Sequence, residues 1–415
     1  MAIKGIIAQF AEESAFLWAQ RTRAVGAPHF SLHDLVRLDE RLEAHIDGLR
    51  VAGEAGWDAC AQVLGSDLPG DCFAPAILAL ESGMPSRVQA VLDAIGPDRT
   101  KACGMISAFG WIPGEQADPQ INSLLASEAP FHRYIGMAAT TRHRRDPGHY
   151  LDKALVDHDP LLKACALQSV GVLGSRGMQH VPFLQESFND ADEGIRFAAA
   201  WSAALLGDGR AVEILRSFVE PASRFRNKAL NLAMRSLEPA AVLAWQQELA
   251  KSPETMRLAI IGVGATGSHA LVPWLIARMA ISDHARAAGE AFTMITGADL
   301  EREGLAGTWP DGFECGPNDD PEDDNVEMDP DGELPWPNAD LVAQWWDRHQ
   351  GAFAGGARYL LGKPITVPHL RFVLQTGLQR HRAAAALELA IMQPGRPLFD
   401  VRAPGFRQRA EVQNA

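Results

Sequence analysis

A basic residue returns along the middle of this chain at Lys101, Arg133, Lys163, Arg196, Arg226, Arg257 and Arg286, in steps of 32, 30, 33, 30, 31 and 29 residues. A period near thirty residues leaves few architectures open. Each unit must be one small motif that buries its apolar face only against its neighbours. After most of these basic residues comes a small, apolar stretch, as in KACALQSVGVLG, RFAAAWSAALLG and RLAIIGVGATG. Before several stands a helix-start signature: Asp159-Pro160, Asp192, Ser252-Pro253-Glu254 or Asp283. Asp and Ser can satisfy the free amides of a new helix, and proline suits the first turn because that amide has no intrahelical partner. Between these lie second apolar segments such as AVEILRSFV and HALVPWLIARMA. In the latter, apolar residues at 271, 272, 274, 275, 276 and 279 make a broad helical face, not a strand alternation. Each unit therefore reads as helix–turn–helix. The expected fold is all-α, an α-solenoid of stacked helix pairs with helical caps at both ends.

Composition agrees. Three Tyr in the whole chain, against abundant Ala and Leu, lean toward helix. Hydrophobic residues at 47% and charged residues at 22% exclude a mainly disordered chain. Departures from the repeat phase set the expected segments: a helical N-terminal cap at 1–71, the repeat solenoid at 72–300, an acidic insertion with Pro and Trp at 301–338, and a helical C-terminal region at 339–415. From Glu303 to Asp347 there are fourteen acidic residues and no Lys or Arg, which equals the net charge of −14 for the entire chain. The remainder is neutral. Mutual repulsion argues against a compact autonomous domain in the insertion. Trp309, Phe313, Leu334, Trp336, Trp345 and Trp346 are expected to pin its ends, while its middle, about 317–333, stays exposed and mobile. Within that middle, Asp319, Asp320, Glu322, Asp323 and Asp324 form a candidate loop for steering a basic partner by speeding encounter.

The remaining motifs point away from chemistry. The five cysteines are scattered and never form CxxC, which fits a reducing cytoplasm better than a zinc cluster or a disulfide framework. The N-terminal MAIKGIIAQFAEES does not read as a signal peptide, and no run approaches the length needed to span a bilayer. A cytoplasmic location without a membrane partner is expected. The acidic balance, with a pI near 5.4, argues against a general nucleic-acid binder. Gly262-Val-Gly264-Ala-Thr-Gly267 spells GxGxxG, but the thirty-residue phase runs through it at Arg257, so it reads as an inter-helix turn and not a dinucleotide site. There is no HExxH, and the calcium-loop echo at Asp329, Asp331 and Gly332 puts Asn338 where a bidentate Glu is required. Cys103 and Cys165, beside small residues, read as buried inert thiols. His45 reads as a packed or surface histidine, and Arg142-His143-Arg144-Arg145 as a solvated turn. No catalytic residue, cofactor or metal is expected. The basic ladder reads as an internal strut that bonds acidic or carbonyl groups of the adjoining repeat.

The stretch DADEGIRFAAAWSAALLGDGRAVEIL, with its acidic turn, basic residue, Ala run and terminal Gly, resembles the HEAT-repeat superfamily, particularly its short lyase-type variant. That resemblance covers roughly 72–300 and implies HEAT-like helix pairs. The flanks carry a more specific one. LHDLVRLDERLEAHIDGLRVAGEAGW, AGEAFTMITGADL, RYLLGKPIT and RHRAAAALELAIMQPGRPLFD together look like an uncharacterised proteobacterial family of HEAT-like proteins, often encoded beside type VI secretion components. It implies a setting: a non-catalytic protein-binding scaffold, serving as adaptor, chaperone or immunity protein, with a secreted effector or a secretion-apparatus component as partner. The rival class is a HEAT-type enzyme, lyase-like or DNA-glycosylase-like, and a glycosylase would want a broad positive concave face.

Overall fold

A computed structural model describes residues 4–317 and 328–413. Helices account for almost all of its regular structure. Among the described residues the one sheet is a two-stranded antiparallel hairpin, Tyr359–Leu360 against Lys363–Pro364. The fold is an all-α solenoid of stacked helix pairs. By compactness the chain forms two units. One comprises Met1–Asp208, Gln375–Arg380 and Gln393–Ala415, and the other Gly209–Leu374 and His381–Met392. This division cuts the repeat array between Asp208 and Gly209, and it shares out the region 339–415 that the sequence presents as one segment.

In the first unit the helices Arg99–Trp111, Pro130–Arg142, Pro160–Leu173 and Glu193–Leu205 pack in chain order, each against the next. Their second members are Gly114–Leu125, His149–Leu155 and Val181–Glu186. The starts of the stacked helices are chemically marked. Asp98 accepts from the amides of Thr100 and Lys101, Asp159 from Leu162, and Asp192 from Ile195. Each such cap contributes about 1 kcal/mol. Small residues let the helices approach closely: a Cβ on Gly171 would lie 2.6 Å from Ser202 Cα. Ile135, Leu162, Leu167, Val170 and Ile195 are fully or almost fully buried between them, and each large apolar side chain so buried stabilises by about 1.5–3 kcal/mol. The N-terminal helices Lys4–Ala24 and Leu32–Ala52 pack together, the second opened by a capping box between Ser31 and Asp34. Distant C-terminal residues complete this unit. The Gln379 amide donates to Phe30 O at 2.7 Å, and the Gly405 amide donates to the buried Asp39 carboxylate. Helix Gly405–Gln413 packs on Leu32–Ala52.

In the second unit Arg226–Ser236, Pro253–Thr266 and Ser282–Thr296 stack in the same way, with Arg210–Ser217, Pro239–Leu249 and Val272–Met279 as second members. Ile260, Val263, Val272, Leu275, Phe292 and Ile295 form its core, joined by Val342, Trp345, Trp346 and Tyr359 from beyond the acidic insertion. The GxGxxG stretch needs a correction. Gly262 and Gly264 lie inside helix Pro253–Thr266, where a Cβ on Gly264 would sit 3.0 Å from Ala291 Cα. Only Gly267, with φ of +67°, ends the helix in the left-handed conformation. Two of the three glycines therefore serve helix packing, and one serves the turn.

Candidate functional site

The basic ladder is built by the helix starts. Every member but Arg226, which opens its helix, lies two to four residues inside one of the stacked helices. In the first unit Lys101 Nζ lies 2.9 Å from Asp67, Arg133 Nη2 donates to Asp157 at 2.8 Å, and Lys163 Nζ donates to Asp190 at 2.9 Å. Asp157 and Asp190 belong to the entry turn of the following helix. The carbonyl partners do not come from an adjoining repeat, as the sequence led us to expect. Arg133 donates to Ser127 O and Glu128 O, and Arg196 to Asp190 O and Ala191 O, in each case the residue's own entry turn. The acceptors follow a local rule. Asp157 Oδ1 also accepts the amide of Asp159, and Asp190 Oδ1 that of Asp192, while Asp159 and Asp192 cap the next helix. An Asp-x-Asp turn thus holds a cation with its first carboxylate and a helix start with its second. The hydrogen bond from Lys163 holds the Asp190 carboxyl below the ordinary carboxylate value.

In the second unit Arg226 donates to Pro221 O. The last two rungs are met by the acidic insertion. Arg257 makes a two-pronged pair with Asp331, with Nη2 to Oδ1 at 2.7 Å, and Arg286 donates to Asp329 at 2.6 Å. Asp329 Oδ1 accepts the amide of Asp331 at 2.9 Å, so Asp329-Pro330-Asp331 repeats the Asp-x-Asp geometry of the helix turns. Arg286, 4% exposed, is enclosed by aromatic rings, its guanidinium carbon 4.9 Å from the Trp309 centroid, 5.3 Å from Trp336 and 5.8 Å from Phe313. Such contacts strengthen as the cation is desolvated. The base of the insertion is joined by Gly307 N to Trp336 O and Asn338 N to Leu305 O. The exposed, mobile stretch expected at 317–333 is therefore corrected at its far end. Asp331 is 5% exposed, and Asp329 and Asp331 are ion-paired, because Arg257, whose following turn before Ser282 holds no carboxylate, and Arg286, in the last stacked helix, draw them in. Asp319, Asp320, Glu322, Asp323 and Asp324 lie outside the described residues.

The cluster Arg142-His143-Arg144-Arg145 is not a solvated turn. His143 Nε2 meets Phe109 O at 2.7 Å, and Arg145 pairs with Asp118. Arg142 and Arg144 approach Asp400, at 3.7 and 3.8 Å. Beside them Arg21, Arg142, Arg402 and Arg407 line a small cavity of about 50 Å³ together with Trp18, Trp111 and Asp400. An open groove of about 640 Å³ adjoins it, sharing Trp111 and Arg407. Sequence reading missed this site because Arg402 and Arg407 lie some 260 residues from Arg142, in a segment with no repeat signal.

The other singled-out residues stay apart from any site. His45 packs edge-on to Phe10 and meets Glu13 at 3.1 Å. Burial pushes the Cys165 thiol up to about 12, as it does that of Cys60, whereas Cys103 is exposed and not buried as expected. Among the described residues no three His, Cys, Asp or Glu side chains gather as a metal site, and no helix is long and apolar enough to cross a membrane.

No curated protein matches the chain. Residues 150–235, which run from helix His149–Leu155 nearly to the end of helix Arg226–Ser236 and include Lys163, Arg196 and Arg226 of the ladder, match the family model for HEAT repeats, so the helix pairs in this stretch are HEAT-like repeats.

Proposed function

We propose that this protein is a non-catalytic protein-binding scaffold, acting as adaptor, chaperone or immunity protein for a type VI secretion component or effector in the cytoplasm. The observation that carries the reading is the stack of HEAT-like helix pairs. HEAT repeats commonly mediate protein–protein interaction, since stacked pairs offer an extended surface that no isolated helix pair has. The ladder supports it from the other side. Its donors are bonded within each unit, which leaves recognition to other surfaces such as the groove beside Trp111. The secretion setting rests on the resemblance carried by residues 32–57, 288–300, 358–366 and 380–400.

Affinity capture with the tagged full chain from its native cell, followed by identification of bound proteins, tests the reading. Recovery of a secretion component or effector is the expected result. Recovery of none, with turnover by the purified protein alone, would transfer the protein to the HEAT-type enzymes. Co-expression then separates the two roles, because an immunity protein rescues the cell from the captured toxin and an adaptor does not.

A further inference from the structure

We propose that the small cavity lined by Arg21, Arg142, Arg402 and Arg407 is a binding site for one oxyanion group, a carboxylate or a phosphoryl, carried by a ligand whose body lies in the adjoining groove. The inference does not rest on the scaffold reading.

Charge comes first. Five guanidiniums converge here, those of Arg21, Arg142, Arg144, Arg402 and Arg407, against three carboxylates, those of Asp39, Asp400 and Glu411. Two positive charges are left over in a partly desolvated place, where like charges repel more strongly than in water. The protein's own side chains spend only part of this donor capacity. Arg21 is committed, through Nε to Asp39 at 2.7 Å and Nη2 to Ala403 O at 2.7 Å. Arg407 is held by Gly110 O at 2.7 Å and Arg142 O at 3.1 Å, which fixes its plane. Asp400 stands 3.7 Å from Arg142, beyond hydrogen-bond reach. Among the described residues the guanidiniums of Arg142 and Arg402 have no hydrogen-bond acceptor. Desolvation by the surrounding chain and repulsion from Arg142 push the Arg402 guanidinium below its ordinary value, with Asp400 opposing them.

Shape agrees with charge. About 50 Å³ is room for a few heavy atoms and suits a carboxylate or phosphoryl group, with guanidiniums matched to its paired oxygens. The wall toward the groove is Trp111, whose Nε1 is bonded to Glu43 and whose ring meets Phe406 edge-on at 5.7 Å. Phe406 is 47% exposed and, with Ile112 and Pro113, gives the groove an apolar floor for the rest of a ligand.

The test is calorimetric titration of the full chain at low ionic strength with inorganic phosphate and, separately, with succinate. Saturable binding of one equivalent is expected for at least one probe, and which probe binds identifies the phosphoryl or the carboxylate as the source. Arg402→Gln and Arg142→Gln should each weaken that binding about tenfold or more, a factor equivalent to one charge-assisted hydrogen bond. Arg402→Gln should not lower the thermal midpoint measured without anion, because it removes surplus positive charge. Arg402 is exposed, and its ties to Asp400 and Arg21 run through its backbone, so its variant folds even where Arg142→Gln, which takes a cation from Asp400, does not. Absence of binding with both probes, or binding that Arg402→Gln leaves unchanged, overturns the proposal.

Discussion

The aspartates of the ladder carry the clearest consequences for single residues. Asp190 takes a hydrogen bond from Lys163 and another from the amide of Asp192. Both are stronger on the ionised carboxyl than on the protonated one, which is why its titration falls below the ordinary 3.8. A depressed folded-state value means the stabilisation is fully present above the unfolded value and disappears as pH falls through the folded one. Asp190→Asn should therefore cost about 1 kcal/mol near neutral pH, a modest figure because the pair is partly solvated. The difference from the parent should shrink below about pH 4, and urea unfolding at a series of pH values measures it. Buried charge behaves otherwise. Glu388 is fully buried and faces Arg235, 4% exposed, at 3.3 Å, with Arg358 on the same oxygen. Glu388→Gln leaves two cations without their anion, and unfolding free energy should fall by about 3–5 kcal/mol. Chemical denaturation followed by circular dichroism reads this directly, and a variant as stable as the parent would show that the carboxylate is dispensable.

At the scale of elements, much was legible. Lys163, Arg196 and Arg257 lie near the starts of stacked helices because capping residues and N-terminal prolines leave local signatures, and because the period itself counts helix pairs. The acidic insertion was legible as a charge imbalance with aromatic anchors at its ends. What composition could not show is that Asp329-Pro330-Asp331 carries the same Asp-x-Asp turn as Asp157-His158-Asp159 and Asp190-Ala191-Asp192. The signal was in the sequence, but the pairing runs over 43 and 74 residues, where periodicity has nothing to say. For Arg286 the insertion thus substitutes for a helix turn that does not follow Ser282–Thr296, and for Arg257 it supplies the carboxylate that the turn before Ser282 lacks. Replacing Asp329 and Asp331 together by Asn should loosen the insertion while leaving the stacked helices in place. Trp309 and Trp336 would lose their fixed cation, tryptophan emission should shift to the red, and proteases should cut faster within 305–337. If emission and cleavage stay as in the parent, the aromatic enclosure of Arg286 alone holds the segment.

At the scale of the whole molecule, chain order and compact structure part company. The C-terminal residues 393–413 belong to the unit that begins at the N-terminus, and the sequence hid this because backbone donors and acceptors have no residue signature. The Gly405 amide on Asp39, and Arg407 on the carbonyls of Gly110 and Arg142, are long-range bonds in which one partner is a backbone group that almost any residue could supply. Their loss has a definite address. A chain ending at Met392 would leave the Asp39 carboxylate with only Arg21, uncover Trp111 where Phe406 now packs, and remove helix Gly405–Gln413 from Leu32–Ala52. The second unit loses none of its own residues. Its core around Phe292 and Trp345, and the Glu388 pair, all lie before the cut. Hydrogen exchange in the truncated chain should therefore accelerate in Leu32–Ala52 and Arg99–Trp111, and stay at parental rates in Pro253–Thr266 and Ser282–Thr296. Uniform acceleration across both sets would mean that the two units do not hold their stability separately, and no acceleration in the first set would mean that the returning segment contributes little to it.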